Sequence, residues 1–185
     1  MSQRPGSWDR PIPGAPLRTA AQLIRLHRHS LANLLVLGGT PEERAGVARG
    51  FHQESPLRAG PIVEIDCRND EDRLRSSLES WLACTSRARA EHPMWSAARG
   101  TLFLDSIDSL SELTQRLLLT FAERFAPGRD DGQETDGREW VGRLSAGSPE
   151  DPAVAVAEGR FLEALYDHLD KIRVDLGPVR HVGVA

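Results

Sequence analysis

Short apolar runs alternate with longer amphipathic stretches along most of this 185-residue chain. The continuous apolar run at 34–37 is typical of a strand buried on both faces of a parallel sheet, and the mainly apolar runs at 62–65 and 101–104 predict a second and a third strand. Weaker runs at 140–144 and 172–176 predict a fourth and a fifth strand. Because strands and helical stretches alternate, the pattern predicts a three-layer α/β domain with a mainly parallel five-stranded sheet.

Between these runs, apolar residues recur at helical spacing. The spacing predicts helices over 17–30, 41–52, 71–82, 110–125 and 154–169. The polar stretch 85–98 predicts at most a short helical piece. Residues 1–16 are rich in Pro, Gly and Arg and are expected to form a flexible arm before one domain, 17–185. The acidic, glycine-rich stretch 127–139 is expected to be a surface loop.

Composition and charge narrow the possible partners and cofactors. The net charge of -4 gives no electrostatic reason to expect nucleic acid or an anionic membrane as a partner. Cys67 and Cys84 lie in no metal-binding spacing, and the sequence shows no signal peptide or membrane-spanning run. The chain is therefore expected to be cytoplasmic and to contact neither DNA nor a membrane directly.

The turn after the first apolar run has the outline of a phosphate-binding loop. Such a loop reads G-x-x-x-x-G-K-S/T, and its first glycine is present here as Gly38. The second glycine is replaced by Glu43, the lysine by Arg44 and the hydroxyl residue by Ala45. These changes remove the close backbone approach, the lysine that reaches the phosphates, and the hydroxyl that holds magnesium. The turn is either a phosphate site closed by substitution or one that never bound phosphate.

The replacement residues make a helix start of their own. Thr40 suits the N-cap, Pro41 suits the first helical position, and Glu43 completes a capping box. Glu42 and Glu43 place two carboxylates at the positive end of the helix dipole, where a phosphate would otherwise bind. We therefore expect this helix start to repel nucleotide phosphates.

Asp105 lies in a segment that carries a family resemblance. Residues 100–107 read G-T-L-F-L-D-S-I and resemble the G-T-L-F-L-D-E-I Walker B segment of sigma-54-dependent transcription activators, a branch of the AAA+ ATPases. The resemblance runs over 17–180 and implies the AAA+ α/β fold. Further stretches resemble the same family in the same order: V-A-R-G-F-H at 47–52, P-I-V-E-I-D-C at 61–67, E-L-T-Q-R-L-L at 112–118, G-R-F-L-E-A-L-Y at 159–166 and G-P-V-R at 177–180.

The resemblance also implies which catalytic groups are missing. In the family, the aspartate at the position of Asp105 orders magnesium, and the glutamate after it activates water. Here that glutamate is replaced by Ser106, which has no basic group near neutral pH. The family's two arginine fingers fall on Leu162 and His168, and neither offers the charge that arginine gives a transferring phosphoryl group.

Other parts of the family's architecture are expected to be absent. The sensor residue after the fourth strand falls near Ser148 or Pro149 and is lost. The segment 81–100 is too short for the G-A-F-T-G-A loop that touches the sigma factor. The sequence ends at Ala185, so we expect neither the helical lid subdomain nor a DNA-binding helix-turn-helix.

These departures predict a pseudo-ATPase with no catalytic residue, no metal ligand and no cofactor. Gly38, Gly39, Arg44 and Asp105 are expected to form a vestigial nucleotide site. The resemblance implies transcription regulation as the context. We expect a non-catalytic AAA+-like protein-interaction or regulatory domain that acts through a protein partner or by self-association.

The sequence leaves two alternatives open. A nucleotide-sensing switch would bind ATP weakly without hydrolysis, with Arg44 pairing with phosphates and Asp105 taking magnesium. An active ATPase with rearranged residues would show magnesium-dependent hydrolysis that is lost in Asp105→Asn. Under the pseudo-ATPase hypothesis, Asp105 serves instead as a hydrogen-bond acceptor at the end of its strand.

Overall fold

A computed structural model describes residues 15–83, 92–124 and 140–178 of the chain. The helices are α1 (Ala15–Leu26), α2 (Pro41–Gln53), α3 (Glu71–Leu82), α4 (Pro93–Ser96), α5 (Glu112–Arg124), α6 (Pro152–Ala157) and α7 (Glu163–Leu169). The strands are β1 (Leu34–Leu37), β2 (Ile62–Asp66), β3 (Thr101–Asp105), β4 (Arg143–Ser148) and β5 (Ile172–Asp175). Short 3-10 turns lie at Pro56–Ala59 and Ile107–Ser109.

The five strands form one parallel sheet in the order β2-β3-β4-β1-β5. This confirms the predicted α/β class and the number of strands. Leu37 pairs with Ser148 of β4 and Asp175 of β5, so the carboxyl ends of these three strands meet at one edge. Asp105 ends β3 at the same edge, because β3 runs parallel to β4. The loops that follow β1, β3 and β4 therefore converge there.

Helices cover both faces of the sheet, as the continuous apolar run at 34–37 predicts. In β1, Leu35 and Leu37 pack in the larger core cluster with residues of α3, α5 and α7. Leu34 and Val36 point the other way and pack with residues of α1 and α2. All four side chains are buried, which gives three layers. No helical lid subdomain is present within residues 15–83, 92–124 and 140–178.

The fourth strand begins three residues later than the sequence pattern predicts. The expected strand was 140–144, whereas β4 is Arg143–Ser148. Trp140 belongs to an aromatic cluster, with its ring centroid 5.8 Å from that of Trp81. Arg143 opens the strand with a buried guanidinium that donates to the carbonyls of Phe51 (3.1 Å) and Ser30. The apolar pattern placed the strand too early because Leu144 is the only large apolar residue of β4, whose other five residues are small or polar.

The single helix predicted over 154–169 is also wrong, because the structure has two helices there. Gly159 takes a φ of +71° and ends the first of them, α6. The buried side chain of Gln115 holds the connection, with Nε2 donating to the Arg160 carbonyl (3.1 Å) and Oε1 accepting from the Leu162 amide (2.9 Å). This side chain supplies the hydrogen bonds that a continuous helix would have made along its own backbone.

The remaining helix predictions agree with the structure to within a few residues. α1 begins at Ala15, inside the stretch expected to be an arm, and α4 is the short helical piece expected within 85–98. The rest of that arm, Cys84 and the acidic stretch 127–139 lie outside the described residues. No helix within the described ranges is long and apolar enough to cross a bilayer.

The histidine near the end of α2 should make stability depend on pH. Burial lowers the pKa of His52 below its ordinary value of 6.5, because the charged ring is poorly solvated there. Its Nδ1 atom lies 3.0 Å from Thr101 Oγ1. Because the pKa of this histidine is higher in the unfolded chain, the unfolded chain is protonated first as the pH falls below 6.5. The free energy of unfolding therefore decreases as the pH approaches the lowered pKa of His52 in the folded protein.

Urea unfolding at about pH 7.5 and about pH 5.5 measures this effect of His52. We expect the wild-type protein to lose stability between the two values. His52→Gln, which keeps a polar group beside Thr101 but does not titrate, should lose less. Equal losses in the two proteins would show that His52 does not cause the pH dependence.

Candidate functional site

The four residues predicted to form a vestigial nucleotide site lie together at the carboxyl edge of the sheet. Gly38 and Gly39 form the turn after β1, and Arg44 lies in the first turns of α2. Asp105 is the last residue of β3. The side chain of Arg44 contacts all three of the others through hydrogen bonds.

The start of α2 has the predicted capping box. Thr40 is the N-cap, and its Oγ1 accepts from the amide of Glu43 at 3.2 Å. The Glu43 carboxylate accepts in return from the amide of Thr40 at 2.8 Å. Pro41 occupies the first helical position, where no amide hydrogen is needed. The carboxylate of Glu43 thus takes the place at the helix start that a phosphate oxygen would need.

The capping box makes a prediction about the stability of α2. Thr40→Ala removes the side-chain acceptor for the Glu43 amide and should lower the free energy of unfolding by about 1 kcal/mol. Asp70 is the matched control, because it precedes α3 as N-cap without a side-chain hydrogen bond to that helix. Asp70→Ala should change stability by no more than about 0.5 kcal/mol in urea unfolding. A Thr40→Ala effect as small as the control would contradict the capping role.

The backbone amides of the turn donate to acceptors within the protein. The Gly38 amide donates to the Ser148 carbonyl at 2.9 Å, and the Gly39 amide donates to the Gly177 carbonyl at 2.8 Å. In a phosphate-binding loop such amides point at the ligand. Here they tie the turn to the residues at and after the ends of β4 and β5.

Arg44 fills the centre of the site with a buried ion pair. Its Nε donates to Asp105 Oδ1 at 2.6 Å, and Nη2 donates to Asp105 Oδ2 at 2.8 Å. Nη1 donates to the carbonyls of Gly38 (3.1 Å) and Gly39 (2.9 Å). Arg44 is 2% exposed and Asp105 is 8% exposed. This fork-to-fork geometry satisfies both carboxylate oxygens and is the strong form of the arginine–carboxylate interaction.

The pair changes what Asp105 can do chemically. Both of its oxygens accept from the guanidinium, so a magnesium ion that took over both oxygens would have to displace Arg44. Such displacement would leave a guanidinium buried without a carboxylate, which is costly in free energy. Within the described ranges, no cluster of three or more His, Cys, Asp or Glu residues is placed to hold a metal ion.

A glycine in β4 makes room for this ion pair. A Cβ atom at Gly147 would lie 2.4 Å from Asp105 Oδ1 and 3.2 Å from the Cδ atom of Arg44. It would also meet the ring of Phe103 at 3.0 Å. The sequence reasoning missed Gly147. The signal was present, because four small residues in succession inside a buried strand (145–148) indicate that a bulky group lies against it.

Ser106, which stands where the family has its glutamate, is buried and takes a left-handed conformation with φ 55° and ψ 46°. Its Oγ lies 3.4 Å from Asp105 Oδ2, and its carbonyl accepts from the amide and the hydroxyl of Ser109. A hydroxyl held in this way has no group that could take a proton from water at neutral pH.

The predicted sensor position is occupied by a serine that bonds within its own domain. Ser148 ends β4, and its Oγ donates to Asp108 Oδ1 at 3.0 Å. Asp108 lies in the 3-10 turn directly after β3. The contact links the ends of β3 and β4 beside the ion pair, so Ser148 serves the local structure of the edge.

The two positions expected for arginine fingers lie apart from each other. Leu162 precedes α7, is half-buried and packs against the larger core cluster. His168 lies near the end of α7, and its carbonyl accepts from Asn33 Nδ2 at 2.8 Å. Asn33 precedes β1, so His168 is at the amino edge of the sheet, opposite the ion pair.

An open cleft of about 270 Å³ adjoins the ion pair. Its lining includes Glu42, Asp66 and Asp105, together with Arg49 and Glu64. Arg49 pairs with Glu64 through two hydrogen bonds of 2.6 and 2.7 Å, and both side chains are partly exposed. Carboxylates outnumber guanidinium groups on this lining, so its charge does not favour an anionic nucleotide.

Cys67, which follows β2, is not a candidate nucleophile. Burial raises the pKa of its thiol, and nearby carboxylates, Asp105 among them, raise it further. A thiol that stays protonated is a poor nucleophile and a poor metal ligand. The cysteine therefore contributes to packing beneath the site.

Comparison with known proteins identifies the family. The protein-family model described as the sigma-54 interaction domain matches residues 14–175 of this chain. The transcriptional regulatory protein ZraR of Klebsiella oxytoca is 33% identical over 172 residues, which cover 89% of this chain and 38% of ZraR. The nitrogen fixation protein VnfA of Azotobacter vinelandii is 28% identical over 172 residues, which cover 91% of this chain and 33% of VnfA. The chain thus spans between 33% and 38% of the length of these two relatives.

Solved structures share the fold at low sequence identity. NtrX from Brucella abortus in complex with ADP has a TM-score of 0.73 at 21% identity, over 89% of this chain and 36% of NtrX. The P-loop NTPase domain of a sigma-54 activator from E. coli has a TM-score of 0.51 at 19% identity, over 83% of this chain and 99% of that domain. The chain therefore belongs to the sigma-54 interaction domain family and has the fold of an AAA+ P-loop NTPase.

Proposed function

We propose that this chain is a non-catalytic member of its family, a pseudo-ATPase that works as a protein-interaction or regulatory domain. The observation that carries the proposal is the buried ion pair of Arg44 and Asp105. The guanidinium occupies the space between the turn after β1 and the end of β3, where relatives would hold magnesium and phosphate. The site is filled by a side chain of the protein itself.

The residues around the pair support the same proposal. The capping carboxylate of Glu43 and the internal bonds of the Gly38 and Gly39 amides remove the groups that would cradle phosphates. Ser106 offers no general base. Loss of an arginine finger alone lowers the rates of related NTPases by about 10³–10⁵-fold. These losses combined leave no route for efficient hydrolysis.

The family to which the chain belongs suggests the process in which it acts. Relatives such as ZraR are named as transcriptional regulatory proteins. A member that keeps the α/β fold but not the chemistry can join active relatives through its outer faces, or act as an adaptor between them and another protein. Regulation of transcription through a protein partner or self-association is therefore the proposed role, with no direct contact to DNA.

A phosphate-release assay with purified protein, ATP and magnesium tests the catalytic part. We expect wild-type protein and Asp105→Asn to release phosphate at the same background rate. Release by the wild-type protein that is lost in Asp105→Asn would contradict the proposal.

The regulatory part is tested by adding the chain to the active domain of a sigma-54 activator from the same cell. A changed rate or a changed particle mass in the mixture supports it, and no change in either contradicts it for that partner.

A nucleotide-sensing switch is the second candidate, and the cleft of about 270 Å³ beside Asp105 is the observation that favours it. In this case magnesium–ATP would enter the cleft, Arg44 would move from Asp105 to the phosphates, and the turn would change conformation. Arginine is a good phosphate partner in such geometries. The acidic lining and the cost of breaking a buried pair weigh against it.

A further inference from the structure

A second cavity lies at the amino edge of the sheet, on the opposite side from the ion pair. Its volume is about 420 Å³, within the range typical of sites for small molecules. Leu31 and Asn33 before β1, Gly142 and Leu144 at the start of β4, and Lys171 before β5 contribute to its lining. Neither the proposed regulatory role nor the ion pair accounts for this cavity.

The inner wall of this cavity is apolar. Phe121 of α5 and Trp140 pack edge to face with ring centroids 5.0 Å apart, and both side chains are buried. Leu144 and Ala122 complete the wall. Gly142 leaves space beside the indole, because a Cβ there would approach the Trp140 ring at 2.9 Å. Such a wall suits a hydrocarbon chain or an aromatic ring.

Residues with side-chain nitrogen atoms also line the cavity, namely Asn33, His168 and Lys171 in addition to the indole of Trp140. Lys171 is the only lysine of the chain. Lys171 is exposed, and among the described residues its ammonium group makes no ion pair. The neighbouring carboxylate of Asp170 is engaged by Arg173 at 3.0 Å. The lining therefore combines an apolar wall with a lysine that forms no ion pair with the residues that the structure describes.

The carbonyl groups at the end of α7 accept hydrogen bonds from within the protein and do not bond to the Lys171 ammonium group. The His168 carbonyl accepts from Asn33 Nδ2 at 2.8 Å. The Leu169 carbonyl accepts from the Lys171 amide, and the Tyr166 carbonyl accepts from the Asp170 amide, both at 2.9 Å. These acceptors are used within the protein.

We propose that the cavity binds a small hydrophobic monocarboxylate of about the size of octanoate, with its chain against Phe121 and Trp140 and its carboxylate at Lys171. The apolar wall supplies most of the affinity, and the charge selects an acid over a neutral molecule of the same shape. The site is independent of the nucleotide-site proposal, because it lies at the other edge of the sheet.

Isothermal titration of the full chain with octanoate and with its neutral isostere octanamide tests the proposal. Octanoate should bind saturably at one site with a Kd below about 1 mM, and octanamide should bind about tenfold more weakly. Trp140 lines the cavity, so octanoate should also change the tryptophan fluorescence. Absence of saturable octanoate binding, or equal affinities for the two compounds, would overturn the proposal.

Three variants assign the binding to this cavity. Lys171→Met keeps the aliphatic stem, and it should weaken octanoate about tenfold and leave octanamide unchanged. Arg73→Met is the control, because Arg73 is an exposed cation of α3 that does not line the cavity, and it should change neither affinity. Ala122→Phe should fill the space and abolish binding of both. If Lys171→Met and Arg73→Met bind octanoate equally well, the carboxylate does not sit at Lys171 and the proposal fails.

Discussion

Asp105→Ala should lower the free energy of unfolding by about 3–5 kcal/mol, as expected when one partner of a buried ion pair is removed. Arg44 is only 2% exposed, and the substitution removes the carboxylate that pairs with its guanidinium. Of its hydrogen bonds, only those to the Gly38 and Gly39 carbonyls would remain. Urea unfolding followed by circular dichroism measures the change. The size of the effect distinguishes a buried ion pair that holds the site together from a surface contact.

The matched control for this prediction is the exposed pair of Arg49 and Glu64. Its geometry is similar, with an Nε–Oε1 distance of 2.6 Å, but its side chains are 47% and 34% exposed. Glu64→Ala should therefore cost less than about 1 kcal/mol. The double variant Arg44→Met with Asp105→Leu should recover most of the stability lost in Asp105→Ala, because no buried charge is left unpaired. A cost for Asp105→Ala as small as for Glu64→Ala would contradict the described burial of Arg44.

Gly38→Ala should destabilise the protein by about 2–5 kcal/mol for two reasons. The residue has a φ of +71°, which L-residues other than glycine rarely adopt. A Cβ atom there would also lie 2.2 Å from the Gly177 carbonyl oxygen, a backbone atom that cannot turn aside. Thermal unfolding or urea unfolding measures the loss.

Gly159 provides the control that separates the two causes. It has the same φ of +71°, but a Cβ atom there would meet no atom within 4 Å. Gly159→Ala should therefore cost only about 1–2 kcal/mol, the conformational part of the effect. Equal losses for the two variants would show that the turn after β1 can move away from Gly177, and the closed arrangement of that turn would then be in doubt.

The parts of the fold that follow local rules are predictable from the sequence. Buried strands with continuous apolar residues, such as β1 and β3, stand out because both of their faces are covered. β4 does not, because Leu144 is its only large apolar residue and the other five are small or polar. They are buried because of what packs against them elsewhere in the structure. The break between α6 and α7 depends on Gln115, which is 47 residues from Leu162 in the sequence.

The candidate site also has a part that local sequence predicts and a part that depends on residues far apart in the sequence. The capping box of Thr40 and Glu43 is local, and its residue types and spacing were enough to predict it. The position of Arg44 on Asp105 is not local, because 61 residues separate the two. The loop outline and the family resemblance placed both residues at the site and predicted Asp105 as a hydrogen-bond acceptor at the end of its strand, with phosphate and magnesium as the alternative partners, but they did not predict the contact between the two residues. Only the three-dimensional arrangement shows that they satisfy each other and that Gly147 makes room for the pair.

Titration of the purified protein with a fluorescent ATP analogue and magnesium tests the closed site most directly. We expect no saturable binding to the wild-type protein up to millimolar nucleotide, because the Arg44 guanidinium and the Asp105 carboxylate are already bonded to each other. Saturable binding that is lost in Arg44→Ala would contradict it and would favour the nucleotide-sensing switch.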